Sequence, residues 1–290
     1  MTTVDETTEN ALGEFLRARR AELKPENVGL PGSKHARRVP GLRREEVAQL
    51  AGISADYYNR LEQGRLVASW PVLAAIGRSL QLDTDQMNYL QRLFQPGANA
   101  VVSKSRRKAT QTIGPQTRRL LTNLKDSAVF VLGRYMDILV WNDLAAALYF
   151  DFSKLPTEHR NLIRLAFLDA DIRSRYMDWE TNARECVAYL RMDVARYPND
   201  ARLTALVGEL SIQDVDFRKW WAAHQVALPT FGQKKIRHPK AGELTMDWQI
   251  LVCAEDTEQS LLVMSVQEGA PSYDSFLSLK GSCPANSSTT

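Results

Sequence analysis

The sequence predicts two domains, an all-α domain followed by an α+β domain, and three observations carry that prediction. The chain has 290 residues, more than one small core usually organises. Apolar residues recur at helical spacing over 11–23 and again over 43–93. Past a basic stretch rich in chain breakers the period shortens to strand-like runs within 128–141 and 234–267, with amphipathic helices between them. The expected layout is a helical domain over 1–94, a basic linker over 95–114, an α+β domain over 115–280 and a disordered tail over 281–290.

The first helix is read over Ala11 to Leu23, where Leu12, Phe15, Leu16, Ala18 and Leu23 line one side, arginines are placed on the other, and Pro25 ends it. Residues 24–41 hold Pro25, Gly29, Pro31, Gly32, Pro40 and Gly41, too many breakers for regular structure, and form a long loop carrying Lys34, His35, Arg37 and Arg38. Four short helices follow between Arg43 and Leu93, broken at Gly52, at Gly64 and around Leu82-Asp83. Ser69 is expected to cap the third of these, with Pro71 in its first turn, where a missing backbone donor costs least. The linker carries Lys104, Arg106, Arg107 and Lys108 with no acidic residue.

In the second half, Ala128 to Gly133 and Met136 to Trp141 read as a strand pair and Asn142 to Phe150 as a helix. Helices are expected at Glu185 to Arg196 and Leu203 to Leu210, and strands at Lys234 to Arg237, Leu244 to Cys253 and Ser260 to Gln267.

Apolar residues make up 44% of the chain and charged residues 24%, the composition of a folded globular protein. Between residues 17 and 44, Arg17, Arg19, Arg20, Lys24, Lys34, Arg37, Arg38, Arg43 and Arg44 face only Glu22 and Glu26, so nine minus two leaves +7. Such a patch attracts a polyanion through counterion release, or is a solvated basic face. Cys186, Cys253 and Cys283 are odd in number and widely spaced, which argues against a disulfide framework or a zinc site and fits a reducing cytoplasm. Met1 to Asn10 is polar, and no run of about eighteen apolar residues occurs, so no membrane segment is expected. His35, His159, His224 and His238 lack metal-ligand spacing, and no GxGxxG, phosphate loop or nucleophile elbow is present. Neither a metal, a cofactor nor catalysis is expected.

The most specific segment is Arg44-Glu-Glu-Val-Ala-Gln-Leu-Ala-Gly-Ile-Ser-Ala-Asp-Tyr-Tyr-Asn-Arg-Leu-Glu-Gln-Gly64. A helix-turn-helix needs a small residue where its helices touch, here Ala48, and a glycine where the turn takes positive φ, here Gly52. Val47, Ala51, Ile53, Tyr58 and Leu61 set the crossing, while Glu45 and Glu46 suit the dipole at the helix start. Residues 12–94 resemble the xenobiotic-response-element regulators, which include lambda repressor and Cro. The chain departs from them in the long loop at 24–41 and at Arg44, where that family often has glutamine. The resemblance implies binding of double-stranded DNA, with the second helix in the major groove. That places Ala55, Asp56, Tyr57, Asn59 and Arg60 towards base edges, Asp56 alternatively capping its own helix, and Arg43, Arg44 and Gln63 towards phosphates. The basic loop, with Arg37 and Arg38, is expected to add contacts outside the major groove.

Ala128-Val-Phe-Val-Leu-Gly-Arg, Asp137-Ile-Leu-Val-Trp-Asn, Asn161-Leu-Ile-Arg-Leu-Ala-Phe-Leu-Asp, Leu206-Val-Gly-Glu-Leu-Ser, Phe217-Arg-Lys-Trp-Trp and Arg237-His-Pro-Lys-Ala-Gly-Glu-Leu-Thr resemble the ligand-binding domain of the MmyB-like regulators of actinomycetes. Gly29-Leu-Pro-Gly and Arg38-Val-Pro-Gly-Leu-Arg-Arg-Glu-Glu-Val-Ala are similar to the same group. The resemblance implies a PAS-like fold, a five-stranded antiparallel sheet with helices over one face, and a pocket for a small apolar, fatty-acid-like ligand. Phe130, Leu132, Trp141, Leu148, Phe167 and Met246 are its candidate lining, although such residues equally build a core. A regulator of this kind is expected to be a homodimer. Two other readings stand beside a ligand sensor: a self-controlled enzyme, and a ligand-free module that dimerises or contacts RNA polymerase.

Overall fold

The structure, a computed structural model, describes residues 4–30, 41–94, 111–197, 200–254 and 256–280. The basic loop positions Lys34, His35, Arg37 and Arg38, residues 95–110 of the expected linker and the tail 281–290 lie outside these. The chain forms two compact units. The first comprises Met1–Arg107, Ala188–Thr204 and Lys219–Leu228, the second Lys108–Val187, Ala205–Arg218 and Pro229–Thr290.

In the first unit, α1 (Val4–Glu22) begins earlier than the sequence predicts and ends as expected before Pro25, which opens a 3-10 turn. The four short helices are α2 (Arg44–Ala51), α3 (Ala55–Glu62), α4 (Trp70–Ser79) and α5 (Thr84–Phe94). Gly52 caps α2 at φ 69°, the left-handed conformation that the turn requires. Gly13 on α1 serves closeness instead: a Cβ there would lie 2.3 Å from the Glu62 carbonyl oxygen, so only glycine lets α1 approach the end of α3. Pro71 sits in the first turn of α4, as expected, but Ser69 occupies the N-cap without a side-chain hydrogen bond, against expectation. Phe15, Leu16, Leu42, Val47, Tyr58, Leu61, Leu73, Ile76, Tyr89 and Leu90 are fully buried in the core of this unit.

Met192, Ala195 and Val226 belong to the same core. The expectation of two consecutive domains, 1–94 and 115–280, is thereby modified: segments read from the sequence as part of the second domain complete the helical one. The helix that contributes the first of them is predicted from Glu185 and instead starts six residues earlier, at Trp179.

The second unit opens with α6 (Pro115–Asn123) and is built on an antiparallel sheet of β1 (Ala128–Leu132), β2 (Ile138–Trp141), β3 (Phe231–His238), β4 (Gly242–Val252) and β5 (Ser260–Ser265), in the order β2-β1-β5-β4-β3. Met136 is predicted as the start of a strand, but Arg134–Met136 forms a 3-10 turn with Tyr135 and Met136 at positive φ, which reverses the chain between β1 and β2. Between β2 and β3 run α7 (Asp143–Leu148), α8 (Leu162–Leu168), α9 (Ala170–Arg175), α10 (Trp179–Arg196), α11 (Ala201–Gln213) and α12 (Val215–Ala222); α13 (Tyr273–Leu277) follows β5. The residues of α10 from Ala188, of α11 as far as Thr204 and of α12 from Lys219 are those assigned to the first unit.

Every residue of β1 is buried, because both faces of the sheet centre are covered. Ala128, Phe130 and Leu132 join the main core with Leu148, Phe152, Met246, Trp248 and Met264. Val129 and Val131 join Leu121 of α6 with Leu261 and Val263 in a second, smaller cluster. The alternation expected of strands is thus obeyed on β1, with apolar residues required on both sides.

Candidate functional site

The outer face of α3 is the candidate nucleic-acid surface. Tyr58, Leu61 and Glu62 are buried, which fixes the rotation of the helix, while Ala55, Asp56, Arg60 and Gln63 are exposed and Asn59 is half-exposed beside them. These positions fall at spacings of one, three and four, a single stripe down one side of a helix. Ser54 caps the helix by accepting the Tyr57 amide at 3.1 Å, leaving Asp56 in the first turn rather than as the cap. Tyr57 is half-buried and packs against the core, so its ring anchors more than it displays. Gln63 Nε2 donates to Asn59 Oδ1 at 3.1 Å, and Arg60 Nη1 lies 4.0 Å from Asp56 Oδ2. Both pairs are exposed and weak, so the stripe can exchange them for other partners.

A buried carboxylate locks this helix in place. Glu62 Oε2 accepts Arg20 Nε at 2.8 Å, and Oε1 accepts Arg20 Nη2 at 3.0 Å and Arg44 Nε at 2.9 Å. Arg20 Nη1 also donates to the Leu42 carbonyl at 2.7 Å, so one guanidinium ties α1, the start of α2 and α3 together. Burial alone would raise the Glu62 pKa, but the hydrogen bonds and charges of Arg20 and Arg44 outweigh it and hold the carboxyl below its usual range. Arg44 is therefore held by one nitrogen with its side chain 42% exposed. Arg43 is exposed, 4.0 Å from Glu45, and its backbone N–H donates to the Glu46 carboxylate at 2.7 Å.

The basic patch is smaller than the sequence count suggests. Arg19 and Arg20 stand four residues after Phe15 and Leu16, which puts them on the apolar face of α1 and not opposite it; both are buried. Arg19 Nη2 donates to the Ala223 carbonyl at 2.9 Å and Nη1 pairs with Glu22 at 2.8 Å. Two of the nine cations counted in the sequence are thus buried against protein, and Arg17, Lys24, Arg43 and Arg44, the last also bonded to Glu62, are those with exposed or half-exposed side chains among the described residues.

Beside Arg19, Arg191 of α10 stacks 3.8 Å from the Trp221 ring and meets His224 Nδ1 at 3.2 Å. Since guanidinium only donates, Nδ1 accepts and the imidazole proton sits on Nε2, which is 3.6 Å from the Glu14 carboxylate. Burial, then the charges of Arg191 and Arg19, push the His224 pKa down to about 4. Trp220 is buried, as a residue of the core is.

Of the candidate ligand-lining residues, Phe130, Leu132, Leu148 and Met246 share one core, with Trp141 packed against it. Phe152 is the hub that sequence reasoning missed: its ring lies 5.6 Å from Phe130, 5.3 Å from Trp141 and 4.7 Å from Phe150. Phe167 stands apart from that cluster, edge-on to Trp179 at 5.7 Å and to Phe217 at 5.2 Å. Among the described residues no group of His, Cys, Asp and Glu is placed to hold a metal ion, and no helix is long and apolar enough to cross a membrane.

Residues 113–279 match the family described as the MmyB-like transcription regulator ligand binding domain. The chain belongs to the MmyB-like transcription regulators. Residues 11–90 of this MmyB-like regulator match a helix-turn-helix domain. No curated protein matches it. It is a DNA-binding transcription regulator with a ligand-binding domain, and both matched families are regulatory and binding modules and not enzymes. The anchor that the sequence reading passed over in this regulator is Glu62, and the signal was present: it follows Leu61 and stands four after Tyr58, inside the apolar stripe, where a carboxylate needs a buried cation.

Proposed function

We propose that this regulator reads duplex DNA with the outer stripe of α3, and that a mainly apolar, fatty-acid-like molecule in its sheet domain shifts the affinity for the operator. The observation that carries the reading is the stripe itself: Ala55, Asp56, Asn59, Arg60 and Gln63 face outward while Tyr58, Leu61 and Glu62 hold the opposite side rigid. In this reading Asn59 pairs with an adenine edge, Arg60 with guanine, Ala55 meets a thymine methyl and Asp56 accepts from a cytosine amine. Gln63, Arg43 and Arg44 meet phosphates, and Arg37 and Arg38 add contacts outside the major groove. The ligand is bordered by Phe130, Leu132, Trp141, Leu148 and Met246, with Phe167 beyond them.

A ligand shifts DNA binding only through its differential affinity for two states, and the coupling is reciprocal, typically ~1–3 kcal/mol. The test is to measure operator affinity of the full chain stripped of lipid and then reloaded with fatty acids of several lengths. A change of about fivefold or more supports the reading. Identical affinities throughout sink the sensor and leave a domain that dimerises, or contacts RNA polymerase, without a ligand.

A further inference from the structure

An α-helix leaves the carbonyls of its last turn without partners inside the helix, so they must be met from outside. At the end of α12 two arginines meet them. Arg191 of α10 donates through Nη2 to the Trp221 carbonyl, and Arg19 of α1 donates through Nη2 to the Ala223 carbonyl at 2.9 Å. The next residue, His224, stands at φ 52°, the left-handed conformation in which helices commonly end on glycine. A histidine takes it only against a backbone penalty, so this helix end depends on the side chains that hold it.

Arg19 does more than close a helix. Its Nη1 pairs with Glu22 at 2.8 Å and reaches Gln225 Oε1 at 3.3 Å, and Gln225 Nε2 donates to Glu22 at 2.8 Å, so the three side chains form a closed ring. A few residues on, the Leu228 amide donates to Asp85 in the first turn of α5 at 2.9 Å. The segment that follows α12 is thereby tied to α1 and to α5. The neighbour of Arg19 on α1 is Arg20, whose guanidinium holds Glu62 of α3 and the Leu42 carbonyl. Consecutive residues of one helix therefore hold the end of α12 and the reading helix.

Helix α12 has residues in both units. Val215 to Arg218 belong to the second, where Phe217 is buried edge-on to Phe167 at 5.2 Å, and Lys219 to Ala222 belong to the first. Its eight residues contain no proline or glycine at which to kink and span about 12 Å, so a displacement of one end moves the other.

We infer that Arg19 is a positioning residue for DNA reading: it carries the position of α12 into α1 and, through Arg20, to the Glu62 lock, so that the state of the sheet domain sets how α3 is held. This rests on the reading of the sheet domain as a ligand sensor and adds the route by which the signal reaches α3. Cutting the route leaves ligand binding in place and removes the coupling between the two activities.

The test uses the full chain and the duplex it selects from random sequence, with affinity measured on protein stripped of lipid and on protein reloaded with hexadecanoate. On reloading, the affinity of the unaltered protein should change about fivefold or more. Arg19→Met keeps the stem beside the Phe15 ring and removes the hydrogen bonds. In it the change should fall below about twofold, with hexadecanoate binding to the DNA-free protein unaltered. Arg19→Lys should restore part of the change, because an ammonium reaches the Ala223 carbonyl without the fork that also meets Glu22 and Gln225. Gln225→Ala, which opens the ring at an exposed side chain, should lower the change in the same direction. A residue that only stabilised the fold would lower the melting temperature and leave the ratio of the two affinities as it was. A ratio kept by Gln225→Ala, or by a folded Arg19→Met, overturns the assignment while the sensor reading survives. If Arg19→Met does not fold, Gln225→Ala decides alone. An unaltered protein whose affinity ignores bound hexadecanoate overturns the assignment and the reading beneath it.

Discussion

Glu62 carries more of the DNA-reading unit than any residue on its surface. Removing one partner of a buried ion pair strands the other charge, so Glu62→Ala should cost about 3–5 kcal/mol in urea unfolding of the full chain. Arg44→Ala, cutting a pair with one exposed partner, should cost under about 1 kcal/mol. The acid dependence has a definite sign: because Arg20 and Arg44 hold the Glu62 pKa down, its stabilisation is complete above the unfolded glutamate value of about 4.3 and is lost as pH falls through the lower folded value. His224 acts in a milder range. Its folded pKa of about 4 lies below the ordinary histidine value, so the unfolded chain takes up its proton first, and stability drops as pH falls from about 6.5 towards 4. Melting temperatures at pH 7.5 and 5 should differ less in His224→Gln than in the unaltered protein; an equal difference would mean that the imidazole is charged in the fold.

At the scale of elements, the two glycines that shape the helix-turn-helix should respond differently to alanine. Gly52 has open space around its would-be Cβ, so Gly52→Ala meets only the backbone penalty of the left-handed conformation, about 1–2 kcal/mol. Gly13→Ala drives a methyl into the Glu62 carbonyl and must part α1 from α3; it should cost about 1–3 kcal/mol and also disturb DNA binding, because it moves the reading helix. Calorimetry with an operator titration separates the two. On α3, Arg60→Ala should lose about 1–3 kcal/mol on the best operator and relax preference at one base, whereas Arg44→Ala should weaken all sequences alike. The short helices of the first unit and the strands of the second were legible because their apolar residues keep period, and the Gly52 turn because only glycine suits it. The buried arginines were not, since a count of charges ignores which side of a helix each one occupies. Nor was the Phe152 hub, which sits on a 3-10 turn with no periodicity to announce it.

For the whole molecule, operator binding should weaken steeply with salt, with a slope near 0.9 per phosphate met, and neutralising Lys34, Arg37 and Arg38 together should flatten it by up to about three units. No change in slope would remove the loop from the interface. If two copies bind together, protected half-sites should lie about 34 Å apart or a multiple of that. The core that Met192, Ala195 and Val226 share with Phe15 and Tyr89 has a practical consequence for anyone who treats such regulators as interchangeable modules. A chain cut after residue 94 leaves that apolar surface bare, at about 1.5–3 kcal/mol for each large side chain uncovered. A chimera grafting this reading head onto a foreign sensor would inherit the same wound, unless the graft also carries 188–204 and 219–228. Recombination at the linker therefore yields fragments that stick to one another before they yield a new switch.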